Sequence, residues 1–151
     1  MACTPAPRVT FTSLNERYFM MTEFNRPLVA IVDDDESVRE AMESLIRSIG
    51  CRAESHDSAE EFLLSGRLPE TDCLILDLKM PGMGGMALHG MLAGINPPLP
   101  TVFITAHWDE ETRMEAKRLG AVDFLRKPCS DDALIEAVRL ALEAAHAHKG
   151  N

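Results

Sequence analysis

The stretch LVAIVDDDESVREAMESLIRSIG, residues 28–50, carries the architecture in miniature. Leu28 to Val32 form a continuous apolar run rich in β-branched side chains, the composition of a strand buried on both faces. Three acids follow, Asp33, Asp34 and Asp35. After them Ala41, Leu45, Ile46 and Ile49 fall three and four apart, which predicts a helix with one apolar face, closed by Gly50. A strand that passes through an acidic turn into a helix is half of a βαβ unit.

The same rhythm continues along the chain. Further strand-length apolar runs occupy residues 51–56 (the weakest), 73–76, 101–105 and 122–125, each bounded by Gly, Pro or Asp. Between them, shorter helices fit near 58–65, 84–93 and 109–119. Ala133, Leu134, Ala137, Val138, Ala141 and Leu142 mark a last helix. Strands apolar on both faces require cover on both sides, so the spacing predicts an α/β domain. Its parallel sheet lies between two helical layers joined by right-handed crossovers. In such a sheet, ligands bind beyond the carboxyl ends of the strands.

Composition narrows the function. With 15 Lys plus Arg against 24 Asp plus Glu, the net charge of −9 repels a phosphate backbone, so direct nucleic-acid binding is not expected. Residues 80–108 carry no Lys, Arg, Asp or Glu, yet their four prolines and five glycines are too dense for a membrane helix. The cysteines at 3, 51, 73 and 129 form no CxxC pair, and Cys73 reads as a packing residue. Residues 1–26 lack any period and read as a flexible leader, with Met20 and Met21 as alternative starts. Residues 27–147 then form one domain that carries an excess of acids, and 148–151 a short tail. Nothing at the N-terminus resembles an export signal, which makes a cytoplasmic location the expectation.

Chemistry collects at the strand ends. The first strand runs into Asp33 and Asp34, the third into Asp77, the fourth ends at Thr105, and the fifth is followed by Lys127 and Pro128. An acidic triplet after a strand is, in its simplest reading, a turn and helix N-cap, and that reading is retained for Asp35. Asp77 is different: it follows Leu74, Ile75 and Leu76, where a buried carboxylate needs a cation. Three aspartates make an oxygen-rich pocket suited to Mg²⁺ or Mn²⁺, and Lys127 supplies a fixed positive charge.

Four segments in order, VAIVDDDESVR (29–39), LILDLKMPGMGG (74–85), VFITA (102–106) and GAVDFLRKP (120–128), resemble the receiver domains of bacterial two-component response regulators. The similarity extends over residues 28–145, and LDLKMPGMGGMALHG (76–90) is most similar to the LuxR/FixJ-type transcription-factor class. The resemblance implies a flavodoxin-like doubly wound sheet of five strands in the order 2-1-3-4-5 with five helices. By position it implies that Asp77 is the phosphoacceptor. Asp33 and Asp34 would be the acidic pair that binds the metal, with the carbonyl of Lys79 completing its shell. Thr105 and Lys127 would contact the phosphoryl group, Thr105 and Phe124 would form the switch, and Pro128 would follow a cis peptide bond. The implied partners are a histidine kinase or phosphotransfer protein and an output protein that recognises the altered face, with a phosphorylation-dependent homodimer as a further possibility.

Two other functions fit the sequence less well. An aspartyl-phosphate phosphatase would want a second acid two residues beyond the nucleophile, where this chain has Lys79. The regulatory half of a DNA-binding regulator would need a helix-turn-helix beyond Asn151, so a free-standing receiver is the expectation.

Overall fold

The computed structural model describes residues 26–95 and 97–149. Among them, five strands form one parallel sheet: β1 (Leu28–Val32), β2 (Arg52–His56), β3 (Cys73–Asp77), β4 (Thr101–Thr105) and β5 (Asp123–Arg126). Their spatial order is β2-β1-β3-β4-β5, the expected doubly wound arrangement, with every neighbouring pair parallel. Five α-helices accompany them: α1 (Glu36–Ser48), α2 (Ala59–Leu64), α3 (Gly85–Leu92), α4 (Glu110–Arg118) and α5 (Asp131–Lys149).

The three central strands are buried at every position, and their side chains alternate between two cores. Val29, Ile31, Cys73, Ile75, Val102 and Ile104 pack against Met42 and Ile46 of α1 and Leu134, Ala137, Val138 and Ala141 of α5. Ala30, Val32, Leu74, Leu76 and Phe103 face Phe62 of α2, Leu88 and Leu92 of α3 and Ala116 of α4. A one-residue slip of any central strand would exchange these two sets, so packing against helices of different size fixes the register.

Local signals set the helix ends. Asp35, Ser58 and Asp109 each sit in extended backbone and accept a main-chain N–H from the first turn of α1, α2 and α4. The N-cap reading of Asp35 is therefore correct, its Oδ1 lying 3.1 Å from the Val38 nitrogen. Gly50, in the left-handed region at φ 91°, turns the chain after α1, and its N–H closes on the Arg47 carbonyl.

β3 ends at Asp77 as expected, one residue past its apolar run, and its ladder with β4 pairs Asp77 with Ile104. Other boundaries differ from expectation. β2 begins at Arg52 rather than 51, and β5 is shifted one residue along, with Val122 already bonded to the Thr101 carbonyl. Among the described residues a 3₁₀ turn at Leu68–Glu70 has no counterpart in the sequence pattern, since three residues are too few to show a period. Helix α5 continues to Lys149. The leader reading falls almost wholly outside the described residues; its last residue, Arg26, accepts a bond from the Arg52 side chain through its carbonyl. No helix among the described residues is long and apolar enough to cross a membrane.

Candidate functional site

The carboxyl ends of β1, β3 and β5 meet at one edge of the sheet. Asp33 is the first residue beyond β1, held in line by its N–H bond to the His56 carbonyl of β2. Its side chain is fully buried. One carboxylate oxygen accepts the Asp35 N–H at 2.9 Å and the other accepts the Lys127 ammonium at 2.6 Å. Asp77, the last residue of β3, is 5% exposed; its Oδ2 lies 3.5 Å from the Lys127 ammonium, and its Oδ1 accepts the Lys79 N–H at 3.3 Å. Asp34 is exposed at the rim, and carboxylate oxygens of all three aspartates lie within 4.8 Å of one another.

Three carboxylates this close repel one another. Burial, then the neighbouring charge of Asp33, pushes the Asp77 carboxyl above its ordinary value, against the opposing pull of Lys127 and the Lys79 N–H. Burial would lower the Lys127 ammonium, but its hydrogen bond to Asp33 and the charges of both aspartates outweigh that, so its pKa is raised and it stays charged. One lysine thus faces a surplus of negative charge. The donor set is all oxygen, compact and partly open to solvent through Asp34, which fits a hard divalent cation that keeps some of its water.

The remaining predicted residues take distinct places. Thr105 ends β4, fully buried. Its Oγ1 accepts the His107 N–H at 3.0 Å and donates to the His107 carbonyl at 3.4 Å, while its own carbonyl accepts the Lys127 N–H at 2.7 Å. Phe124 lies in the core, edge-on to Trp108 at a centroid distance of 5.2 Å and tilted against Phe103 at 6.3 Å. The Lys127–Pro128 peptide bond is cis. Lys79 meets the site through its backbone N–H.

Other residues that position this edge were not singled out from the sequence. Arg39 of α1 donates to the Asp33 carbonyl at 2.8 Å, and Glu60 of α2 accepts the Met83 N–H at 2.8 Å, tethering the loop after β3. Gly85, noted in the sequence only as part of a turn, packs directly on the strand end. A Cβ there would lie 2.4 Å from the Asp77 carbonyl oxygen and 2.9 Å from the Leu78 Cα. A polar residue on a helix surface gives no sequence signal of a partner more than twenty positions away, so only the fold could reveal Glu60.

The family described as the response regulator receiver domain matches residues 29–139. The chain belongs to that family. This receiver is 40% identical over 124 residues to the response regulator protein TmoT of Ectopseudomonas mendocina, covering 82% of this chain and 56% of that one. It is 39% identical over 114 residues to the transcriptional regulatory protein FixJ of Azorhizobium caulinodans, covering 76% and 54% respectively. Among solved structures, a response regulator receiver protein from Burkholderia phymatum is 42% identical with a TM-score of 0.69, over 78% of this chain and 96% of that one. The receiver thus spans about half the length of the curated relatives it matches. Receiver domains belong to two-component phosphorelay signalling; they generally bind Mg²⁺ through acidic residues, take part with histidine kinases or phosphotransfer proteins, and turn over no external substrate.

Proposed function

We propose that Asp77 is the phosphoacceptor of this receiver, and that phosphorylation there changes the face by which the domain signals. The observation that carries the reading is the buried Asp77 carboxylate at the end of β3, beside two further aspartates and within reach of the Lys127 ammonium.

The chemistry asks for positioning and charge. An Asp77 oxygen attacks phosphorus in line; the P–O bond forms as the P–N bond of a donor phosphohistidine breaks, and the imidazole nitrogen keeps the electron pair. Burial raises the basicity of the Asp77 carboxylate and so its nucleophilicity. Lys127 neutralises charge on the equatorial oxygens, and the cis bond before Pro128 lies directly beyond it. Asp33, Asp34, Asp77 and the Lys79 carbonyl would hold Mg²⁺ or Mn²⁺, which when bound supplies further neutralisation of the phosphoryl oxygens.

Thr105 and Phe124 carry the message. The Thr105 hydroxyl turns to donate to the phosphoryl group and Phe124 moves into the space it leaves, altering the surface formed by α4, β5 and α5. That surface is read by an output protein or by a second copy of the chain, in the cytoplasm. Relatives named as transcriptional regulators support an output at the level of transcription, reached through protein contacts rather than through this acidic domain touching nucleic acid.

The test is labelling with acetyl phosphate in Mg²⁺ buffer, followed by intact-mass measurement. Wild-type protein should gain one phosphoryl group and Asp77→Asn none; equal labelling of the two would refute the assignment.

A further inference from the structure

Thr105 does not point freely toward the acidic site. Its hydroxyl is engaged twice by the backbone of His107, accepting the N–H and donating to the carbonyl. A hydroxyl donates one proton, so the bond to the His107 carbonyl and a bond to a phosphoryl oxygen on Asp77 exclude each other. The next residue is Trp108, whose indole stands edge-on to Phe124 at 5.2 Å with an interplanar angle of 74°. Trp108 is 41% exposed although it covers Phe124, which is 8% exposed and continues inward through Phe103 to His89. The hydroxyl, the backbone of residue 107, the indole and the Phe124 ring therefore form one contiguous series of contacts that runs through the loop between β4 and α4.

Resting on the phosphoryl-switch reading above, we propose that Trp108 is a positioning residue, a latch whose edge-to-face contact with Phe124 holds the Thr105 hydroxyl on His107 and away from Asp77. Release of Thr105 frees residue 107, carries the indole off Phe124 and lets that ring turn inward into the space the hydroxyl leaves. The contact exists only in the closed arrangement, so it opposes the arrangement that binds a phosphoryl group. Coupling is reciprocal: weakening the latch must strengthen phosphoryl binding by the same factor. A ring pair of this geometry corresponds to about a two- to tenfold effect on that equilibrium.

The decisive comparison titrates beryllofluoride, a phosphoryl mimic, into wild-type protein, Trp108→Ala and Trp108→Phe in Mg²⁺ buffer, with the bound species read by fluorine NMR and folding checked by circular dichroism. Trp108→Ala should bind the mimic about two- to tenfold more tightly than wild type, and Trp108→Phe, which keeps an aromatic edge against Phe124, should return close to wild type. A residue that merely stabilises the fold would weaken binding or leave it unchanged when truncated, so equal or weaker binding by folded Trp108→Ala overturns the latch alone. Absence of binding in all three proteins overturns the phosphoacceptor reading and the latch with it.

Discussion

Gly85 is the position where the geometry of the strand end makes its sharpest quantitative demand. It is buried at the first turn of α3, its N–H donates to the Leu78 carbonyl at 3.1 Å, and an added Cβ would stand 2.4 Å from the Asp77 carbonyl oxygen and 3.1 Å from its carbon. These are backbone atoms of a central strand and cannot rotate away, so Gly85→Ala must push α3 off the end of β3. Overpacking of this kind costs about 1–3 kcal/mol, and the stretched Gly85 hydrogen bond adds roughly 1 kcal/mol. The helix preference for alanine offsets up to about 1 kcal/mol. A net loss of about 1–3 kcal/mol lowers the melting temperature of a domain this size by roughly 3–15 °C. Gly90 is the control. It lies in the same helix, exposed, with nothing within 4 Å of an added Cβ, so Gly90→Ala should raise stability by about 0.5–1 kcal/mol. Thermal and urea denaturation followed by circular dichroism compare the two. Equal stabilisation by both substitutions would refute the close approach of α3 to Asp77.

Two further outcomes follow from the electrostatics. The folded-state pKa of Asp77 is raised, so its ionisation opposes folding: stability falls as pH rises from the unfolded carboxylate value through the folded one, and below both the group contributes nothing. In metal-free buffer Asp77→Asn should melt above wild type at pH 7, with the gap closing in acid; a gap that widens on acidification would show the sign to be wrong. Mg²⁺ at a hundredfold excess over its dissociation constant should stabilise the wild-type protein by about 2.7 kcal/mol, and Asp34→Ala should lose most of that gain, as read by melting temperature against Mg²⁺ concentration.

The parts of the fold that were legible in the sequence are those in which local pattern and tertiary role coincide. Leu28–Val32 is apolar throughout, and Thr101–Thr105 is apolar between its two terminal threonines, because both strands are buried on both faces, and the apolar runs show their bounds. β2, with the sequence RAESH, was the weakest because it is an edge strand with polar side chains between buried ones. Periodicity says nothing of which strand lies beside which; the order 2-1-3-4-5 came from the family resemblance, and the ladders agree with it. At the site, a run of aspartates or a lysine before proline is visible wherever it occurs. The 2.6 Å contact between Asp33 and Lys127, separated by 94 positions, exists only once the sheet is assembled. Arg39 looks like another charge on a helix until α1 packs on β1 and brings it to the Asp33 carbonyl. Trp108 stands beside the switch residue in the sequence, but its contact with Phe124 exists only once β4 and β5 pair.

The most direct test of the central claim maps the phosphoryl group chemically. Protein treated with acetyl phosphate and Mg²⁺ is reduced with borohydride, which converts an aspartyl phosphate to homoserine, and is then digested and sequenced by mass spectrometry. Homoserine at position 77, and at neither 33 nor 34, is the predicted result. Homoserine at Asp33 or Asp34 with Asp77 intact would contradict it.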